Sequence, residues 1–215
     1  EQVPARFDLA DSALAEVDSG FLRAMRIVLR EGFLHAEDSV ELKLANADGD
    51  QLLDCDWAEV RLLGDPAAQP ETTFECEARD VQRGVMHNED GETVVTARFI
   101  TGRGVVRRGA SGNQEGELQE LTGWGGVTVA FTGESALTGS GERFTWTPED
   151  GGRLAARAGE RVQARGSLQP GAASYLLSAT WIEYSAAGLE AFAPEITQDT
   201  SAGSGLEVSS EVGLQ

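Results

Sequence analysis

What most constrains this chain is a degenerate repeat: an apolar residue, one intervening residue, then a small one. It reads Leu34-x-Ala36, Leu53-x-Cys55, Phe74-x-Cys76, Val95-x-Ala97, Leu121-x-Gly123, Leu137-x-Gly139, Leu154-x-Ala156 and Leu177-x-Ala179. Successive small residues lie 16 to 26 positions apart, an interval that fits a two-strand unit with its turns. Within the copies apolar residues recur at every second position, as at Val127, Val129 and Phe131. That is the period of a strand with one buried and one wet face. The pattern is clearest from Leu121 to Tyr184, where a glycine-led valine strand such as Gly126-Val127 alternates with the repeat.

Turn chemistry separates the units. Asp48-Gly49, Asp90-Gly91, Asp150-Gly151-Gly152 and Gln169-Pro170-Gly171 are expected tight turns, built from residues that tolerate positive φ or fix a bend. Glycine supplies 26 of 215 residues, which suits many turns and close strand contacts. Residues 64–72 and 109–118 interrupt the period and are expected to be surface loops. Residues 1–20 are expected to be a lead-in, extended or with a short helix near Asp11, and 21–197 to form one β domain. Residues 198–215, rich in Gly and Ser, are expected to form a flexible tail.

Charge removes one class of function. With 17 basic against 36 acidic residues the formal net charge is −19, which opposes nucleic-acid binding by phosphate neutralisation. No window carries the ~18 uninterrupted apolar residues of a spanning helix. Glu1 does not open a signal peptide and is read as the product of processing or trimming.

Candidate chemistry is sparse. His35 and His87 are the only histidines and read as structural or solvent-facing. Gly123, Gly125 and Gly126 resemble a dinucleotide loop, but a strand rather than a helix follows them. The pairs Asp54/Asp56 and Glu75/Glu77 could serve two-carboxylate chemistry; more simply they are the wet face of amphipathic strands. Residues 46–51 lack the full calcium-loop spacing and favour a hairpin turn. Cys55 and Cys76 hold the same place in consecutive copies, as a disulfide or, on the favoured reading, as two free thiols. Arg103, Arg107 and Arg108 form the one dense basic group, either a guarded strand edge or a candidate contact for an anionic headgroup. Neither catalytic residues nor a metal or other cofactor is expected.

With the repeat written out, the chain resembles the periplasmic lipopolysaccharide-transport bridge proteins, the LptA/LptC or OstA-like family. The likeness covers about 33–193 and is strongest after 94, its closest stretch being residues 136–188, preceded by the glycine-valine strand at Gly126. It implies an open twisted β-jellyroll, a folded two-sheet "β-taco" of repeated antiparallel strands. Implied too are a periplasmic location, with any anchor supplied by a segment outside this sequence, and partners: lipopolysaccharide or another envelope lipid, and like domains joined through edge strands. The implied lipid-groove lining is Trp124, Val127, Val129, Phe131, Phe144 and Trp146, continued by Leu154, Val162, Leu177, Trp181 and Tyr184. Gly123, Gly139, Ala156 and Ala179 would form its floor, leaving width for acyl chains. The competing expectations are a β-solenoid structural or adhesion module without a groove and a carbohydrate-active β-helix.

Overall fold

The computed structural model describes residues 5–17, 20–30, 33–44, 50–64, 69–88, 91–108, 114–133, 136–167, 174–185 and 188–198. Among these the chain is all-β, with no helix. Eight strands are long: β1 (Ala5–Val17), β2 (Gly20–Arg30), β3 (Phe33–Leu44), β4 (Gln51–Leu62), β5 (Glu71–Asn88), β6 (Gly91–Arg108), β7 (Gln114–Gly133) and β8 (Ala136–Thr147). Six are short: β9 (Gly151–Ala155), β10 (Val162–Ser167), β11 (Tyr175–Ala179), β12 (Trp181–Ser185), β13 (Gly188–Phe192) and β14 (Glu195–Gln198). All belong to one open 14-stranded sheet, not closed into a barrel. Every pairing is antiparallel. That rules out a solenoid or β-helix, whose coils pair in parallel.

Strands of 11 to 20 residues, like β2 and β7, exceed the usual ~5–6 because each bends in its middle. The register shifts between Arg23 and Arg26, Glu37 and Val40, Asp54 and Trp57, Val81 and Gly84, Thr96 and Phe99, and Trp124 and Val127. These irregularities line up from strand to strand and crease the sheet. An inserted residue bends a strand and strengthens its twist. Positive φ at Asp38 (61°), Ser39 (57°), Asp80 (50°), Gly125 (87°) and Gly126 (83°) marks the crease. The glycines that resemble a nucleotide loop are therefore a bulge.

Beyond β8 the crease breaks the chain outright. β8 pairs through 136–140 with β10 and through 143–147 with β9, so β9 and β10 together make one bent rung. β11 with β12, and β13 with β14, make two more. The molecule is thus a meander of eleven rungs along the main path of the sheet, folded into two wings. Wing I holds 33–37, 57–62, 71–79, 99–108, 114–124, 143–147, β9, β12 and β13; wing II holds 40–44, 51–54, 84–88, 91–97, 127–133, 136–141, β10, β11 and β14. Arg161 ties the broken end of the crease together, donating from Nε to Ser178 Oγ (2.8 Å) and from Nη2 to the carbonyls of Ser178 (2.7 Å) and Ala193 (2.6 Å).

The repeat now has a physical meaning. Its unit is one bent rung rather than two separate strands, and in most copies its small residue falls at or near the crease, Cys76, which lies well inside wing I, being the exception. Ala36, Ala97, Gly123 and Ala179 are buried there, because the wings converge and leave room for little beyond a methyl group. Other expectations are corrected. The lead-in is not separate: Ala5–Val17 is a paired strand. Residues 114–118, expected in a loop, open β7. Asp150-Gly151 does turn, with Asp150 N donating to Thr147 Oγ1 at 3.0 Å and Gly151 at φ 77°. The turns at Asp48-Gly49 and Gln169-Pro170-Gly171, Asp90, the calcium-like residues 46–49 and the tail from 199 lie outside the described residues.

Candidate functional site

The space between the wings is filled at one end and not at the other. Over β7–β12 the wings interlock. Phe131 of wing II packs on Tyr184 of wing I with ring centroids 4.3 Å apart, and Thr93 Oγ1 shares a 2.6 Å hydrogen bond with the Tyr184 hydroxyl. Burial raises the Tyr184 phenol above its ordinary range, partly offset by that bond. A methyl group added at Gly139 would lie 3.1 Å from Leu154 Cδ2, and one at Gly152 would lie 2.5 Å from the Tyr184 ring. Phe144, Trp146, Val162 and Ile182 complete this dry core.

Over β3–β7 an apolar cavity of about 140 Å³ separates the wings. Leu42, Leu44, Gln51, Leu53 and Met86 line it from wing II. Val60, Leu62, Phe74, Ile100, Leu118 and Leu121 face them from wing I. Ile100 and Leu121 sit near the crease, whereas Leu44, Gln51 and Leu62 lie at strand ends away from it, where the wings diverge. There Leu44 leans across towards the other wing: a methyl on Gly116 would meet its Cδ2 at 3.6 Å. Cys76 also lines the cavity, beside the bare backbone of Gly102. Both cysteines are free; burial pushes the Cys76 thiol up to about 11 and the Cys55 thiol up to about 12.

The residues expected to line a groove therefore divide. Val127, Val129, Phe131, Phe144, Trp146, Leu154, Val162, Leu177 and Tyr184 are buried between the wings, but at the interlocked end, and none borders the cavity. Trp124 and Trp181 are corrected. Trp124 is 37% exposed and stacks on Phe99; Trp181 stacks on Phe192 beneath the Arg153 guanidinium, 4.3 Å from the ring centre. Ala156 lies in the break between β9 and β10, packed against the core, and borders a shallow polar dent on the crease. The Leu and Met residues around the cavity were not expected as its lining, although Leu53 and Leu121 belong to the repeat and the leucines of 42–44 and 52–53 carry the same alternation.

The outer face is a mesh of charge. Arg107 bonds Glu71 (Nε to Oε2, 2.8 Å) and Glu117, and these two hydrogen bonds raise its pKa. Arg103 stands opposite Glu75 and Glu120 in the ladder, and Arg108 closes β6 opposite Gln114. Within the basic group Arg107 is thus held on the outer face by two carboxylates of neighbouring strands. Asp56 accepts from Gln82 Nε2 at 2.9 Å, and Glu75 and Glu77 are exposed, so the acid pairs sit outside rather than in the cavity. His35 bonds Glu37 at 2.9 Å and meets Trp57 edge-on; that bond, ahead of the Arg26 contact, lowers the Glu37 pKa. Among the described residues no cluster of His, Cys, Asp and Glu could hold a metal ion. Comparison with known proteins finds no matching family model, curated protein or solved structure.

Proposed function

We propose that the chain is a non-enzymatic periplasmic lipid-binding protein of the LptA/LptC type, holding acyl chains of lipopolysaccharide or a related envelope lipid between its wings. The observation that carries this reading is the hydrocarbon-walled cavity over β3–β7. Each acyl CH₂ moved from water into such walls gains roughly 0.8 kcal/mol, so a chain needs no charge attraction from a protein of net charge −19. Edge-to-edge association with like domains is part of the proposal. Among the described residues β1, β13 and β14 each pair on one side only, and Phe192 and Ile196 on the last rung are 57% and 61% exposed.

Displacement of an environment-sensitive fluorescent acyl probe by lipopolysaccharide tests the reading. Saturable binding lost on Leu118→Trp, which fills the cavity, is the expected result. An unbound probe, or binding indifferent to that substitution, refutes it.

A further inference from the structure

One polar atom interrupts the cavity wall. Gln51 opens β4 opposite Leu44, at the end of the cavity away from the crease. Its side chain is 6% exposed, and its carboxamide oxygen has no hydrogen-bond partner among the described residues. The cavity that Gln51 borders is otherwise walled by side chains such as Leu42, Leu53, Met86, Leu62 and Leu118 that cannot donate, and the Cys76 thiol, which also lines it, makes no hydrogen bond to Gln51 Oε1. A buried acceptor left without a donor is costly, and a plain hydrocarbon occupant would leave it so.

We propose that the cavity selects an acyl chain carrying a hydroxyl about six or seven carbons from its methyl end, as in 3-hydroxydecanoate, with that hydroxyl donating to Gln51 Oε1. The inference rests on the lipid-binding reading and names the chain class for that site. Size supports it. The cavity measures about 140 Å³, close to the ~150 Å³ of an engineered apolar cavity that takes up benzene, about six carbons. A chain whose last six or so carbons fill the cavity down to Ile100 would place a hydroxyl just above them, at the level of Gln51.

Calorimetric titration of the full chain with 3-hydroxydecanoate and with decanoate decides the matter. The hydroxylated chain is expected to bind roughly tenfold more tightly, the effect of one buried hydrogen bond. Gln51→Met, close to isosteric, should abolish the preference by tightening decanoate and weakening 3-hydroxydecanoate; Gln51→Leu serves as a second variant. Equal affinities in the native chain, or a preference that survives Gln51→Met, overturn the proposal while leaving lipid binding intact. Failure of both chains to bind overturns the lipid reading along with it.

Discussion

At β7–β12 the wings meet as a core: Leu154 lies over Gly139, and Phe131 lies on a Tyr184 ring whose hydroxyl is bonded to Thr93. At β3–β7 the same rungs, bent at the same crease, leave a cavity of about 140 Å³ between Leu42 and Met86 on one side and Leu62 and Leu118 on the other. The difference lies in what faces what. In the filled region Leu154 of wing I stands over Gly139 of wing II and the Phe131 and Tyr184 rings pack together across the gap, which leaves no void; ring-over-glycine pairs within one wing, Tyr184 over Gly152 and Phe74 over Gly104, occur at both ends. In the open region leucines face leucines across diverging strand ends, and the gap is wider than the two facing side chains fill. One architecture thus yields an anchoring end and a receiving end.

The largest effects should come from removing the filling. Leu154→Ala takes away a side chain that closes the wings over Gly139, and we expect a loss of about 3–4 kcal/mol in urea unfolding. Leu42→Ala, on a wall that already borders empty space, should cost only about 1–2 kcal/mol, since fewer contacts are lost. Equal losses would erase the distinction between the two ends.

Adding atoms gives the converse measurement. In Gly152→Ala the new methyl would lie 2.5 Å from a ring that Thr93 holds in place, and roughly 2–3 kcal/mol of overpacking strain follows. In Gly116→Ala the nearest atom is Leu44 Cδ2 at 3.6 Å, an ordinary contact, so stability should change by less than about 0.5 kcal/mol. A Gly116→Ala variant as damaged as Gly152→Ala would show that the wings are closed along their whole length.

The fold was more legible in the sequence than the site, for a physical reason. Alternation and the apolar-x-small repeat are set by the backbone's own geometry, one buried face and one crease per rung, and both can be read from Leu34-x-Ala36 onward. Inward orientation beyond a bulge cannot be carried forward by counting, because the extra residue shifts parity. Gly123 points in, Trp124 points out, and after Gly125-Gly126 the count restarts at Val127. Thr180 resets it again, leaving Ile182 buried and Trp181 outside. Nor does regularity report a groove. The cleanest stretch, Leu121 to Tyr184, is clean because it is tightly packed, and the cavity lies largely among the irregular rungs before it.

Alkaline pH samples both ends at once. The folded-state pKa of Cys76, at the open end, is raised from an ordinary 9.0 to about 11, and the Tyr184 phenol at the filled end is raised too. The folded chain then keeps protons that the unfolded chain releases, so stability is intact below pH 9 and falls as pH climbs towards 11. By pH 10 the thiol should account for about 1 kcal/mol, at 1.36 kcal/mol per pKa unit. Cys76→Ala should make the decline shallower without abolishing it, since the buried Cys55 thiol, pushed up to about 12, acts in the same sense, measured as urea midpoints from pH 8 to pH 10.5. Bound acyl chain should in addition slow Cys76 alkylation and leave the filled end's hydrogen exchange unchanged. An unchanged decline in Cys76→Ala would move the titration elsewhere.

The smallest effect concerns the outer face, where the two ends are alike. Arg107 lies between Glu71 and Glu117 on the outer face, and such solvent-screened pairs contribute little. Arg107→Ala should therefore shift the urea midpoint barely at all. Its bearing is on the ligand: a guanidinium already shared by two carboxylates has little left for a phosphate, whereas a headgroup contact would have to displace both. Lipopolysaccharide and 3-hydroxydecanoate should lose the same small factor, less than about twofold, in Arg107→Ala. A loss confined to lipopolysaccharide and steepening at low salt would show that the outer ladder opens to receive the headgroup, and would tie the charged face to the cavity beneath it.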